Sequence, residues 1–157
     1  MRILVLFILL IINYGCSTRN IKYDRIKIAK NYSMNYKIFV DNEEVDIENT
    51  YLNKKNIKNV RIDKKEKELN ITQLKRTELF ELKNLNLDSL STGRRGWDKK
   101  KIDLIIIDGT VLTDSLRNKI KIDPNAIKSF EIISQEEMNN MTLCRRYEGD
   151  ILLIITK

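Results

Sequence analysis

The sequence has no histidine, and that absence removes much of the nucleophilic and metal chemistry open to a small protein. Ser-His and Cys-His pairs are excluded, as are zinc sites that need imidazole. One proline and five glycines among 157 residues exclude collagen-like and proline-rich linker classes. A single tryptophan leaves little material for an aromatic-lined cleft. Acidic residues are in the minority, 22 against 29 Lys and Arg, for a formal net charge of +7. Hydrophobic residues nevertheless make up 42%, enough for a packed core, and the length predicts one domain.

The longest unbroken apolar run is Ile3 to Ile12, preceded by Arg2. Its ten residues would span roughly 15 Å as a helix, about half the hydrocarbon core of a bilayer. A charged start, a short apolar block and then small residues form the layout of a secretory signal. Asn13, Tyr14, Gly15, Cys16 and Ser17 follow. A small residue directly before a cysteine at the end of an apolar block resembles the lipobox of bacterial lipoproteins, with Asn13 standing where the strict pattern has Leu. The resemblance implies cleavage before Cys16, a diacylglyceryl group on its sulfur and acylation of the new amine. Ordinary cleavage, or an uncleaved anchor, with Cys16 a plain thiol is the competing reading. At roughly 0.8 kcal/mol per buried CH₂, two or three acyl chains hold a protein lastingly on a membrane. The expected organisation is a signal peptide over 1–15, a polar tether over 16–23 and a single α+β domain over 24–157.

The second cysteine, Cys144, then has no partner within the chain. It precedes Arg145 and Arg146, and adjacent cations can activate a thiol, but no histidine is present to act as its base. It reads as a small core residue.

Along the mature chain a β-like pattern begins at Ile26. Tyr36 to Val40 leads into the turn cluster Asp41-Asn42-Glu43-Glu44. Asn56 to Ile62 alternates polar and apolar, Asp63 to Lys67 is a charged turn, and Val60 to Thr72 reads as a hairpin. Glu78 to Leu87 fits a strand or a short helix. Leu90 to Lys101 holds two glycines, five cations and Trp97, and reads as a solvated loop rather than a nucleic-acid patch. Leu104 to Ile107 is a buried strand, Asp108-Gly109 a tight turn, and Val111-Leu112 strand again. Asp123-Pro124 opens a helical turn, Ser129 to Ile133 is a strand, and Ser134 to Glu137 matches a capping box. Ile151 to Ile155 is the last buried strand.

Two stretches repeat. Ile38-Phe39-Val40-Asp41 matches Ile105-Ile106-Ile107-Asp108, and Ile57 to Ile62 matches Ile127 to Ile132 with three of six residues identical. Asp and the following Ile are 16 residues apart in the first half and 19 in the second. The fold expected is α+β: a small mixed sheet with short helices, built from two related β–turn–β halves packed into one sheet.

Residues 104–157 resemble the plug domain of TonB-dependent outer-membrane receptors of the Bacteroidetes type. The resemblance rests on Ile105-Ile106-Ile107-Asp108-Gly109, Asp123-Pro124-Asn125-Ala126-Ile127, Ser129 to Ile133, Tyr147-Glu148-Gly149 and Ile151 to Lys157, in that order. Cys144-Arg145-Arg146 replaces the small residues usual before Tyr-Gly. The chain ends where a receptor would begin its barrel, so the resemblance implies a plug-type fold without the transporter.

The function expected is a non-enzymatic binding or interaction module, lipid-anchored in the outer membrane and facing the periplasm. Its partner would be an envelope protein or polymer, without nucleic acid, cofactor or metal. A structural envelope lipoprotein is the first alternative. A carboxylate-dependent hydrolase using Asp103, Asp108 and Asp150 is the second, because paired acids cleave glycosides. The only site residue expected is Cys16, for lipidation.

Overall fold

A computed structural model describes residues 18–87, 101–141 and 148–157. Cys16, Cys144 and most of the Leu90–Lys101 loop, including Trp97, lie outside these residues. The fold is mixed α+β, with three small mixed sheets and few short helices. The chain divides into two compact units, residues up to 48 with 56–76, and residues 49–55 with 77–157.

The first unit holds a five-stranded sheet in the order β1-β5-β6-β2-β3. Its strands are β1 (Thr18–Ile21), β2 (Lys37–Val40), β3 (Glu43–Glu44), β5 (Ile57–Asp63) and β6 (Glu68–Gln73). The hairpin expected over Val60 to Thr72 is β5 and β6. Val60, Ile62, Leu69 and Ile71 are buried from those two strands, with Ile38 and Val40 from β2.

Two expectations for the start of this unit are corrected. Thr18–Ile21, assigned to the tether by its polarity, pairs antiparallel with β5 as an edge strand. Arg25–Tyr32, assigned to the β pattern, is a helix, α1. Ile26 and Ile28 mimic period two, but Ile26 is 72% exposed and only Ile28 is buried. The helix is started by Asp24, whose Oδ1 accepts the Lys27 N–H at 3.1 Å.

The second unit holds a four-stranded sheet in the order β11-β12-β8-β9. These are β8 (Ile102–Ile107), β9 (Thr110–Leu112), β11 (Ile127–Ile133) and β12 (Asp150–Thr156). A three-stranded sheet in the same unit joins β4 (Thr50–Tyr51), β10 (Lys121–Ile122) and β7 (Phe80–Glu81). The ambiguous stretch Glu78–Leu87 thus divides into a two-residue strand and a 3₁₀ turn at Leu82–Asn84. Tyr51, Leu82, Ile102, Ile105, Ile107, Ile120, Ile122, Leu152 and Ile154 form one buried cluster. Two short helices complete the unit, α2 (Asp114–Arg117) and α3 (Gln135–Met141). The capping box is present with both arms: Glu137 N–H donates to Ser134 Oγ at 3.2 Å, and Ser134 N–H donates to Glu137 Oε2 at 2.9 Å.

The repeat extends to backbone detail. In each half a central strand, β6 or β12, lies between an antiparallel neighbour (β5 or β11) and a parallel one (β2 or β8). Ile62 and Ile38 both pair with Leu69; Ile132 and Ile105 both pair with Leu152. Each half turns through two residues of positive φ, Asp41 (48°) and Asn42 (72°) in one, Asp108 (48°) and Gly109 (81°) in the other. Such a turn matches the twist of the strands it joins. The Asp carboxylate then reaches the end of the central strand: Gln73 N–H donates to Asp41 Oδ1 at 2.9 Å, and Thr156 N–H to Asp108 Oδ1 at 2.7 Å. Both antiparallel strands carry an irregularity at the same place, between Ile57 and Asn59 and between Ile127 and Ser129. Both are preceded by a 3₁₀ turn started by an Asx side chain: Lys55 N–H donates to Asn53 Oδ1 at 3.1 Å, and Asn125 N–H to Asp123 Oδ1 at 2.9 Å.

The halves do not share one sheet, and this corrects the expectation. Each central strand finds both neighbours within its own half, so neither has an edge left for the other. They also differ by insertion. Three extra residues between the Asp turn and the Asx turn accommodate α2, and the tight turn at residues 64–67 is replaced by the segment that begins with α3.

Candidate interaction surface

The two halves differ at one sheet edge. In the first, the outer side of β5 is covered by β1, with Ile21 opposite Val60, Asn20 opposite Arg61, Arg19 opposite Ile62 and Thr18 opposite Asp63. In the second, β11 is the last strand of its sheet, and no strand among the described residues pairs with its outer side. Backbone groups along such an edge are a template for another strand.

Phe130 marks the consequence for side chains. It pairs with Ile154 as Val60 pairs with Ile71, so the two residues hold the same position. Val60 is 1% exposed; Phe130 is 40% exposed. In the first half Ile21 stands opposite that valine. The second half places a larger aromatic side chain at the rim and leaves it half open. Ile132, next along the same side of β11, packs against the core cluster and is partly buried. Lys128 and Glu131 are exposed.

A groove of about 220 Å³ lies elsewhere in this unit, lined by Lys101, Asp103, Leu112, Asp114 and Arg117 among others. Arg117 Nη2 donates to the Leu85 carbonyl at 3.0 Å, and its Nε is buried without a hydrogen-bond partner among the described residues. A second groove, of about 340 Å³, belongs to the first unit and is lined by Ser33, Tyr36, Lys37, Glu44 and Asp46 among others. Both mix opposite charges.

The three carboxylates considered for hydrolysis are not brought together. Asp108 and Asp150 are held at opposite ends of β12, roughly 20 Å apart for a strand of this length. Asp108 is engaged by Thr156, whose hydroxyl donates to its Oδ2 at 2.6 Å. Asp150 is fully buried, and its Oδ1 accepts the Gln135 N–H at the start of α3 at 3.0 Å. Asp103, near Asp150, is exposed. Asp108 and Asp150 therefore serve the fold, Asp108 in the repeated turn and Asp150 at a helix start. Asp41 differs from Asp108 in one respect. Gln73 stands where Thr156 stands in the second half, and Asp41 Oδ2 is buried without a partner among the described residues.

Two carboxyl groups, on the exposed Glu137 and the partly exposed Glu81, are held below the ordinary glutamate range. For Glu137 the main cause is the Ser134 backbone N–H, then the Ser134 hydroxyl. For Glu81 it is a hydrogen bond from Lys83, then the charge of Lys83 and of Lys121. Both are local to a helix start or a surface ion pair. Among the described residues no group of three or more Cys, Asp or Glu side chains is arranged to hold a metal ion, and no helix is long and apolar enough to cross a membrane.

Reading the sequence alone misses the β11 edge. β11 is legible as a strand, but what lies beside it is not. The signal that bears on it is the repeat itself, which sets a Phe against a Val at matched positions. No protein-family model, no curated protein and no solved structure matches the chain.

Proposed function

We propose that the protein is a lipid-anchored component of the bacterial outer membrane, facing the periplasm. It acts there as a non-enzymatic interaction module built from plug-type strand units. The observation that carries the reading is the β11 edge, where main-chain groups and the half-exposed Phe130 are presented together while the matched edge of the other half is closed. The address rests on Arg2, the apolar run Ile3 to Ile12 and Gly15-Cys16. The plug-type relationship rests on the ordered motifs from Ile105 to Lys157, and the first half carries a second version of the same strand order.

Two experiments test the reading. Wild-type protein is expected to incorporate labelled palmitate in cells. Cys16→Ala is expected to incorporate none and to retain residues 1–15, which a mass measurement detects. Unlabelled wild type, or labelled Cys16→Ala, contradicts the address. For the role, a photo-crosslinking amino acid at position 130 in the full chain is expected to capture a defined envelope partner in intact cells. Recovery of bait alone contradicts it.

A further inference from the structure

We infer that the β11 edge takes up an extended peptide segment of a partner protein, antiparallel, over Phe130 to Ile133, with an apolar side chain opposite Phe130. The inference rests on the interaction-module reading and specifies how its surface works. The chain carries its own template for it. β1 covers the matched edge of β5 antiparallel over Val60 to Asp63. Carrying that register to β11 sets the counterpart of Ile21 opposite Phe130, of Asn20 opposite Glu131, of Arg19 opposite Ile132 and of Thr18 opposite Ile133.

The chemistry of the segment follows position by position. Opposite Phe130 the strand needs an apolar side chain, because this is where the first half closes its core side with Ile21 against Val60. Aromatic and β-branched residues facing each other across strands are favourable. Opposite Glu131 it needs a neutral or basic residue, since like charges facing each other are destabilising. The irregularity near Ser129 does not block such pairing. Its match near Asn59 sits in β5, and β1 still pairs beyond it. Lys128, like Lys58 in β5, lies at this end and discourages indiscriminate edge-to-edge pairing without covering Phe130 to Ile133. Main-chain hydrogen bonds supply affinity in this mode, and the side chains that alternate onto one face supply selectivity.

Pairing with a second copy through β11 fits less well. Antiparallel strands related by a twofold axis must place some residue opposite itself. Centring on Glu131, which keeps Phe130 facing Ile132, opposes the two Glu131 carboxylates. A second copy's β1 would leave that copy's own β5 uncovered.

The test is disulfide trapping on the purified full chain carrying Cys144→Ser. The probe is a synthetic peptide of residues 17–23 with cysteine in place of Ile21, or in place of Arg19. Opposed residues in an antiparallel pair lie about 4.5–5.5 Å apart between Cα atoms, within disulfide range, whereas diagonal neighbours at about 7–8 Å are not. Phe130→Cys is expected to trap the Ile21-substituted peptide at least about fivefold better than the Arg19-substituted one, and Ile132→Cys to show the reverse preference. Met34→Cys, on a side chain 92% exposed in the first unit, is expected to trap both equally and weakly. Trapping at Phe130→Cys without register preference, or no better than at Met34→Cys, overturns the inference. So does a chain-to-chain disulfide of Phe130→Cys that the peptide does not suppress. These failures are separable from failure of the interaction-module reading, which falls only when the photo-crosslinker at position 130 captures no partner in cells.

Discussion

Gly149→Val is expected to destabilise the second unit by about 3 kcal/mol, the upper end of what overfilling a packed site costs. A Cβ at position 149 would lie 2.3 Å from the Lys101 carbonyl oxygen and 2.8 Å from Asp103 Cβ. The first of these atoms is backbone and the second is fixed to backbone, so neither can swing aside. The strain falls where β12 begins its parallel pairing with β8, since Asp150 faces Ile102 and its N–H donates to the Lys101 carbonyl at 3.0 Å. Gly109→Val is the instructive control. Gly109 has a φ of 81° but nothing within 4 Å of an added Cβ, so its replacement costs backbone strain alone, of order 1–3 kcal/mol. Gly149→Ala should already exceed Gly109→Ala. Denaturant unfolding of the full chain measures both, and a Gly149→Ala midpoint equal to wild type would refute the close approach.

Leu69→Ala and Leu152→Ala are expected to cost about 3–4 kcal/mol each, within the range for fully buried leucines. They are the same residue of the repeat, each on its central strand with isoleucines opposite on both neighbours. Both side chains are fully buried. Leu69 lies in the first unit and Leu152 in the buried cluster of the second, so amide exchange should speed up first around Leu69 in one variant and around Leu152 in the other. Phe130→Ala, by contrast, should cost less than about 1.5 kcal/mol, because the residue is already 40% exposed. A loss for Phe130→Ala as large as that for Leu152→Ala would mean that the edge is closed.

The strands and the repeat were legible for local reasons. Asp-Asn and Asp-Gly mark turns of positive φ, and the apolar run before each, Ile38 to Val40 and Leu104 to Ile107, marks the strand that leads into it. Ser134 and Glu137 announce a helix start through their own hydrogen bonds. What escaped depends on non-local partners. Thr18–Ile21 is polar because an edge strand exposes much of itself, and only pairing with β5 makes it a strand. The helix at Arg25–Tyr32 was concealed by an alternation that the exposed Ile26 makes accidental. The number of sheets turns on which strand lies beside which, and alternation of side chains does not encode that. Gly149 reads as a punctuation residue; its fixed place comes from the approach of Lys101 and Asp103. Asp150 begins β12 and Asp108, in the turn after β8, is bonded to the other end of β12, so the length of that strand holds the two acids apart.

The proposed interaction surface requires that β5 be covered on both sides and that β11, which no strand among the described residues pairs on its outer side, be open. Residue-resolved hydrogen exchange on the full chain in dilute detergent solution tests this directly. In β5, consecutive amides from Val60 to Asp63 should all be slow, because neighbours on both sides accept from them. Along Phe130 to Ile133 slow and fast amides should alternate, with the outward-facing ones close to the rate of an unstructured chain. Uniform protection of Phe130 to Ile133, equal to that of β5, would contradict the open edge.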